Sequence, residues 1–241
     1  MIKRIFFYQH SYFPIPLILF KYICNVKNKY LRYFFLKYAN ICVFHDINKF
    51  SLNNYWENKR SLYWHYLTSQ YNFDRDIIKL KTIEKKFPGI FGKNVINIGC
   101  GLGLIHKKFI INDLTLIDIN KFVIEEIKNN LPNVKIINSD ITKVKNLSFN
   151  TALFSNGVLM YLKEEEIFKF FKNNFFENII IINEGRDEKK NVSVGKGLMH
   201  NLKDIFDKIE QFNKHKHHKI YSKSETEIFD TYIVTKIKKI Y

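Results

Sequence analysis

The sequence predicts an α/β fold, in which a mostly parallel sheet carries helices on both faces and a helical extension precedes it. From residue 93 onward, short β-branched runs alternate with helical segments, a rhythm typical of parallel strands that are connected by helices. Before that point the apolar residues recur at helical spacing instead. We therefore divide the chain into a helical N-terminal extension, residues 1–90, and an α/β domain, residues 91–241.

The N-terminal extension begins with an aromatic and basic segment. Residues 1–50 contain eight Lys or Arg residues and one acid, Asp46. The apolar residues that predict an amphipathic helix in this segment are Leu31, Phe34, Phe35, Tyr38, Ile41 and Cys42. Three roles stay open for the segment: a cap packed on the core, peripheral membrane contact through residues 1–50, or a homodimer interface. A further helix is predicted over residues 74–87, because Pro88 and Gly89 follow it.

The charge balance narrows the classes of partner. The net charge of +16 invites a nucleic-acid partner, yet arginine, which contacts phosphates and base edges bidentately, occurs at only five positions. The composition therefore disfavours nucleic acid and favours a solvated lysine surface or another anionic partner. The three cysteines lack the spacing of a disulfide framework or a zinc site. We expect a cytoplasmic location, because no cleavable signal or membrane-length apolar run is evident.

The elements of the α/β domain follow from local patterns. Strands are predicted over residues 94–98, 114–117, 135–138, 151–155 and 179–183. Helices are predicted over residues 103–110, 120–130, 163–175 and 198–211. A last strand, residues 231–239, is expected at the edge of the sheet. The cluster KHKHHK, residues 214–219, is predicted to be an exposed basic loop rather than a weak metal site.

The stretch VINIGCGLG is the first motif that indicates chemistry. Gly99, Gly101 and Gly103 follow the first strand, so the backbone can approach a ligand and begin a helix whose amides attract negative groups. The dinucleotide fingerprint G-x-G-x-x-G would have its third glycine one residue later. Asp118 ends the second strand and can accept from a ribose diol, and Asp140 ends the third strand and can accept from an adenine amino group. Ligands bind outside the carboxyl ends of parallel strands, so these residues would line one crevice.

Four stretches extend this pattern. VINIGCGLG, LTLIDIN, NVKIINSDIT and TALFSNGVLMYL, in this order and spacing, resemble the successive motifs of class I S-adenosylmethionine-dependent methyltransferases. The resemblance covers roughly residues 93 to 185, and it implies a Rossmann-like, seven-stranded, mostly parallel sheet. It also implies S-adenosyl-L-methionine as the cofactor, S-adenosyl-L-homocysteine as the product, and no metal. The cofactor-binding positions that it implies are Asn97, Gly99, Cys100, Gly101, Asp118, Ile119, Asp140, Ile141 and Asn156.

The resemblance also assigns roles to these positions. Gly99 and Gly101 would approach the methionine part of the cofactor, and Asp118 would bind the ribose hydroxyls. Asp140, with the residue after it, would hold the adenine. Asn156, just past the fourth strand, would face the methyl donor from the other side.

One position departs from the family pattern. The family usually carries an acid just before the glycines, as in LDIGCG, and this chain has Asn97 there. An acid helps to orient the cationic end of the cofactor, whereas an amide can accept a hydrogen bond but brings no charge. We expect the cofactor to bind, with lower affinity, and a binding-only relative without activity stays an alternative.

The segment after the fourth strand bears on the acceptor. SNGVLMYL lacks the Asn/Asp-Pro-Pro-Tyr signature of enzymes that methylate amino groups on bases, and it has no Pro-Cys pair. It resembles the corresponding segment of small-molecule, sugar and lipid methyltransferases. We therefore expect methyl transfer to a small, anionic metabolite or glycan precursor, such as a nucleotide-activated sugar or a phosphate-bearing unit of a surface polysaccharide. An RNA methyltransferase and a non-catalytic, membrane-associated scaffold are the alternatives.

Methyl transfer depends mainly on holding the acceptor in line with the donor, and a base is needed only when the acceptor must lose a proton. The two candidates for a general base are Glu184, just beyond the fifth strand, and His200, which opens the next helix. His106 is expected to be a solvated surface residue. The candidates for a wall that closes the acceptor pocket are Tyr55, Trp56 and Arg60.

Overall fold

The computed structural model describes residues 22, 30, 56–59, 61–155, 157–185, 200, 202–209, 215–220 and 229–236. The chain divides into two compact units, Met1–Asp74 and Arg75–Tyr241. The predicted helix over residues 31–42 lies outside the described residues, as do Tyr55, Arg60 and Asn156. The division predicted at residues 90 and 91 stays a prediction.

From residue 95 onward, the described strands alternate with helices and short turns as far as residue 185. The helices are α1 (Ser61–Lys86), α2 (Lys121–Asn130), α3 (Glu164–Asn173) and α4 (Leu202–Asp207), and short 3₁₀ turns form at Leu104–Lys107, Ile141–Lys143 and Leu159–Tyr161. The strands are β1 (Val95–Ile98), β2 (Leu114–Asp118), β3 (Lys135–Asn138), β4 (Ser148–Ser155), β5 (Phe175–Gly185), β6 (His215–Ile220) and β7 (Phe229–Lys236). None of the described helices is long and apolar enough to cross a membrane.

The strands form one sheet in the order β3-β2-β1-β4-β5-β7-β6. The first five strands are parallel, and the register places Asn97 beside Leu116 of β2 and Leu153 of β4. The chain crosses from β3 on one side of β1 to β4 on its other side, so the strand order reverses between β1 and β4. In parallel sheets, ligands bind at such a reversal, beyond the carboxyl ends of the strands. Five parallel strands with connecting helices confirm the Rossmann-like α/β class.

Two details of the C-terminal strands differ from the sequence prediction. The last strand does not lie at the edge, because β7 pairs antiparallel with β5 on one side and with β6 on the other. The KHKHHK cluster is not a loop, because His215–Ile220 forms the edge strand β6. Its lysines and histidines give no alternating apolar pattern, so its strand character comes from pairing with β7. Charged residues on an edge strand disfavour pairing with a further chain.

Helices cover both faces of the sheet. On one face, α3 and α4 pack on the central strands through a cluster of apolar side chains, which includes Ile98, Phe154, Ile167, Phe170, Phe171, Phe176, Ile181 and Phe206. On the other face, a methyl group placed on Gly103 would lie 3.1 Å from Leu116 of β2 and 3.8 Å from Ile127 of α2. Helix α2 therefore lies against the face that also carries Asn97.

Local chemistry fixes where these helices begin. The Asn120 side chain accepts hydrogen bonds from the backbone amides of Phe122 and Val123, which caps α2. Three glutamates occupy the first turn of α3, where the helix dipole favours negative charge. Glu166 accepts from the backbone amide of Lys163 at 2.7 Å, which completes the start of α3.

Candidate functional site

The glycine turn, residues 99–103, follows β1 at the point where the strand order reverses. Gly99, Gly101 and Gly103 have φ angles of 62°, 53° and 63°, a left-handed conformation that glycine adopts most readily. A Cβ atom on Gly99 would clash with the Val158 side chain, so a larger residue there would force Val158 to move. The turn is the one that the sequence predicted. The structure adds that Val158, in the segment after β4, packs directly over it.

Asp118 organises this turn from the side. The carboxylate is buried, with Oδ2 accepting from the amide of Gly101 at 3.0 Å and Oδ1 accepting from the amide of Asn120 at 3.0 Å. A carboxylate offers about four lone-pair sites, so two stay available to further donors. The structure therefore brings Gly101 and Asp118 together, as the spacing predicted, and Asp118 holds the shape of the turn.

The carboxyl end of β3 lies beside Asp118. Asp140 accepts from the backbone amide and hydroxyl of Thr142, at 2.9 and 2.8 Å, and so caps the short turn that contains Ile141. Asn138 was not predicted, although it stands next to Asp118 in the strand register. Its amide donates to the carbonyls of Asp118 and Ile119, both at 2.9 Å, and ties the two strand ends together. A polar residue at the carboxyl end of a predicted strand was the available signal.

Three buried polar residues from the segments that flank the glycine turn and from the end of β4 contact one another. The Ser155 hydroxyl donates to Asn97 Oδ1 at 3.2 Å, and Asn97 Nδ2 lies 2.9 Å from His106 Nε2. Asn97 is fully buried, and both ends of its amide are engaged in these contacts. We call Ser155, Asn97 and His106 the buried polar chain. The Asn97 amide thus joins the residue after the turn to the end of β4, and its predicted contact with a cofactor stays a prediction.

The prediction that His106 is solvated is wrong, because its side chain is only 5% exposed. A single 3₁₀ turn, closed by a hydrogen bond from the His106 amide to the Gly103 carbonyl at 3.0 Å, replaces the predicted helix and turns the ring inward. Burial lowers the pKa of His106 from 6.5 to about 4, and the backbone of Phe109 opposes this in part. His106 Nδ1 still completes no hydrogen bond within the described part of the chain.

Cys100 sits inside the glycine turn, as predicted, but as a buried thiol. Desolvation by burial raises its pKa well above its ordinary value, and the negative charge of Asp118 raises it further. A thiol in this state is a poor nucleophile, so its contribution to the site is packing and backbone position. Among the described residues, no group of three His, Cys, Asp or Glu side chains could hold a metal ion.

The two predicted bases lie in different surroundings. His200 Nε2 lies 2.9 Å from the carbonyl of Leu162, and the segment that ends at Leu162 also carries Val158, which packs over Gly99. His200 is thereby tied to the segment that covers the glycine turn. Glu184 pairs through its backbone with Asp230 of β7, and its side chain lies outside the described residues.

Comparison with known proteins rests on structure, because no protein-family model and no curated protein matches the sequence. The methyltransferase domain of the bacterial protein CtHen1 is 14% identical, with a TM-score of 0.51 over 67% of this chain and 97% of that chain. Magnesium protoporphyrin IX methyltransferase from Synechocystis PCC 6803, solved with bound SAM, is 12% identical, with a TM-score of 0.53 over 76% and 93%.

A third similar structure is CalS10, an amino pentose methyltransferase from Micromonospora echinaspora. It is 10% identical, with a TM-score of 0.50 over 68% of this chain and 91% of that chain. At these identities the matches establish the fold. The chain therefore has the fold of S-adenosylmethionine-dependent methyltransferases, which confirms the resemblance of the motifs at the level of the fold.

Proposed function

We propose that the protein is an enzyme that transfers a methyl group from S-adenosyl-L-methionine. The observation that carries this proposal is the position of Asp118 and the glycine turn together at the reversal of strand order, in a fold shared with three methyltransferases. We propose that a helical N-terminal extension, residues 1–90, accompanies the sheet described above.

The chemistry of the turn fits this cofactor. Three glycines in left-handed conformation give a backbone that a ligand can approach closely. The free lone pairs of Asp118 are suited to the two hydroxyls of a ribose, and Asp140 stands at the next strand end, where the adenine would lie. We propose Asn97, Cys100, Ile119, Ile141 and Asn156 as further members of this site, with Asn97 and Cys100 acting through the shape of the turn.

When bound, the cofactor supplies an electrophilic methyl group on a positively charged sulfur. The protein has to hold the acceptor in line with that methyl group and to exclude water. Val158 and the segment up to Leu162 cover the glycine turn from the β4 side, so they are placed to form one wall of this arrangement.

We propose His200 as the general base for an acceptor that must lose a proton. The Leu162 carbonyl can only accept a hydrogen bond, so the proton of a neutral His200 ring is on Nε2, and the lone pair is on Nδ1. Glu184 is the alternative base. The His200→Gln variant should lower the methyl transfer rate while the affinity for the cofactor stays unchanged, and equal loss of both would contradict a role as base.

The proposed acceptor is a small, anionic metabolite or glycan precursor in the cytoplasm. The net charge of +16 and the similarity to an amino pentose methyltransferase support this class. Protection from thermal unfolding by nucleotide sugars or sugar phosphates, measured across a panel, tests it, and a panel without any protection would contradict it. RNA is the second candidate, favoured by the net charge alone. It requires RNA affinity that falls steeply with salt.

Titration calorimetry with S-adenosylmethionine and S-adenosylhomocysteine tests the cofactor assignment. Asp113 provides the matched control, because its carboxylate accepts from the backbone amide of Asn94 at 2.9 Å, at the amino end of the strand that Asp118 ends. Wild type and Asp113→Asn should bind with similar affinity, and Asp118→Asn should bind at least about tenfold more weakly. Absence of binding to the wild type would refute the proposed function.

A further inference from the structure

The buried polar chain connects three segments that meet at the glycine turn. Asn97 lies two residues before the turn, His106 lies three residues after it, and Ser155 ends the neighbouring strand β4. The bond between Asn97 and His106 therefore closes a loop around the turn. All three side chains are at least nine-tenths buried.

The hydrogen-bond directions follow from the chemistry of the groups. Because Asn97 Oδ1 accepts from Ser155, Asn97 Nδ2 faces His106 and donates to it. His106 Nε2 must then accept, which requires a neutral ring with its proton on Nδ1. Burial of the ring at 5% exposure favours this neutral form.

This arrangement leaves one polar atom with only partial compensation, which comes from the backbone of Phe109. Nδ1 carries the proton of the neutral ring, yet it is buried and completes no hydrogen bond within the described residues. A buried donor without a well-formed hydrogen bond destabilises a fold, so its presence in a folded protein calls for a reason. An apolar residue at position 106 would avoid this cost, but it would leave Asn97 Nδ2 without its acceptor.

We propose that His106 is a positioning residue of the cofactor site, which holds the glycine turn in its binding shape through Asn97. This inference rests on the proposed function only for what the turn binds. The chain has an amide where the resembled family has an acid. His106 accepts from that amide, so a neutral hydrogen bond between Asn97 and His106 joins the two ends of the turn, in addition to the contact of Asp118 with Gly101.

The first test compares His106→Leu, His106→Gln and Thr151→Val. Leucine removes the acceptor, whereas the glutamine carbonyl can still accept from Asn97. Thr151 is the matched control, because its fully buried hydroxyl donates to the Ile90 carbonyl at 2.6 Å, on the same sheet face but near the amino end of the strands. Each variant is examined by S-adenosylhomocysteine calorimetry and by the backbone amide resonances of the turn glycines.

We expect His106→Leu to weaken binding about tenfold and to shift or broaden the glycine amide resonances. His106→Gln should restore most of the affinity, and Thr151→Val should change affinity less than about twofold even if it melts at a lower temperature. Unchanged glycine resonances and affinity in His106→Leu would overturn the proposal. So would an equal loss of affinity in Thr151→Val.

Two further measurements separate this proposal from the proposed function. If the wild type binds no S-adenosylhomocysteine, the proposed function fails, but the glycine resonances still decide the role of His106. If His106→Leu does not fold, Ser155→Ala perturbs the chain from its other end and should shift the same resonances. Nitrogen-15 NMR of the wild type should show the proton of His106 on Nδ1, and a proton on Nε2 at neutral pH would overturn the proposal.

Discussion

The pH dependence of stability gives a quantitative test of the buried imidazole. His106 has a pKa of about 4 in the folded protein, against about 6.5 for an unperturbed histidine. As the pH falls, the imidazole of His106 takes up a proton in the unfolded chain before it does so in the folded protein. The contribution of His106 to stability is therefore complete above pH 6.5 and is lost progressively as the pH falls toward 4. Linkage between these two pKa values lowers the free energy of unfolding by about 2 kcal/mol between pH 7.5 and pH 5.0.

The assay is urea unfolding of the wild type, His106→Gln and Thr151→Val at both pH values. Glutamine does not titrate. Between pH 7.5 and pH 5.0, the free energy of unfolding of His106→Gln should therefore fall by about 2 kcal/mol less than that of the wild type. Thr151→Val lacks a buried hydrogen bond but keeps His106, so it should be less stable at both pH values and show the wild-type loss. Carboxylates titrate alike in all three proteins. An equal fall in the free energy of unfolding of the wild type and of His106→Gln would show that His106 does not have a lowered pKa in the folded protein.

Three further changes test the packing around the site. Gly99→Ala should destabilise the protein by about 1–3 kcal/mol, because the residue has positive φ and its new methyl group meets Val158. Adding Val158→Ala should recover part of this loss in urea unfolding, and no recovery would contradict the contact. Asn120→Ala should cost about 1 kcal/mol as the cap of α2 is lost, and Asn120→Ser should cost less. Phe171→Ala should cost about 3–5 kcal/mol by calorimetric melting, because its ring is fully buried against other aromatic rings. The exposed Phe175→Ala should cost far less, and similar losses for the two would argue against the observed core.

The candidate site was predictable where it depends on the ends of strands. A run of apolar, β-branched residues followed by Gly99 or Asp118 indicates both the strand and its carboxyl end. Parallel strands bring those ends to one edge of the sheet, so the pairing of Gly101 with Asp118 follows from the order of the elements. The parallel class itself follows from the alternation of short strands and helices.

The contacts of the buried polar chain could not be predicted from local sequence patterns. Asn97 and Ser155 are 58 residues apart, and their contact depends on the register between β1 and β4. His106 looks like a surface residue because Lys107 and Lys108 follow it. The sequence predicted an α-helix here, but the segment forms a 3₁₀ turn, which directs the His106 ring inward.

The class of fold and the carboxylates at the strand ends could be predicted from the sequence alone, because they follow from the periodicity of apolar residues. The glycine turn could be predicted because glycine has the backbone freedom that the turn requires. Only the tertiary structure decided that β7 lies inside the sheet, that Val158 covers Gly99, and that Asn97 pairs with a buried neutral His106. Those features depend on which segments pack together. Packing depends on the volumes and hydrogen-bond partners of side chains that are distant in the sequence, so a local sequence pattern does not predict it.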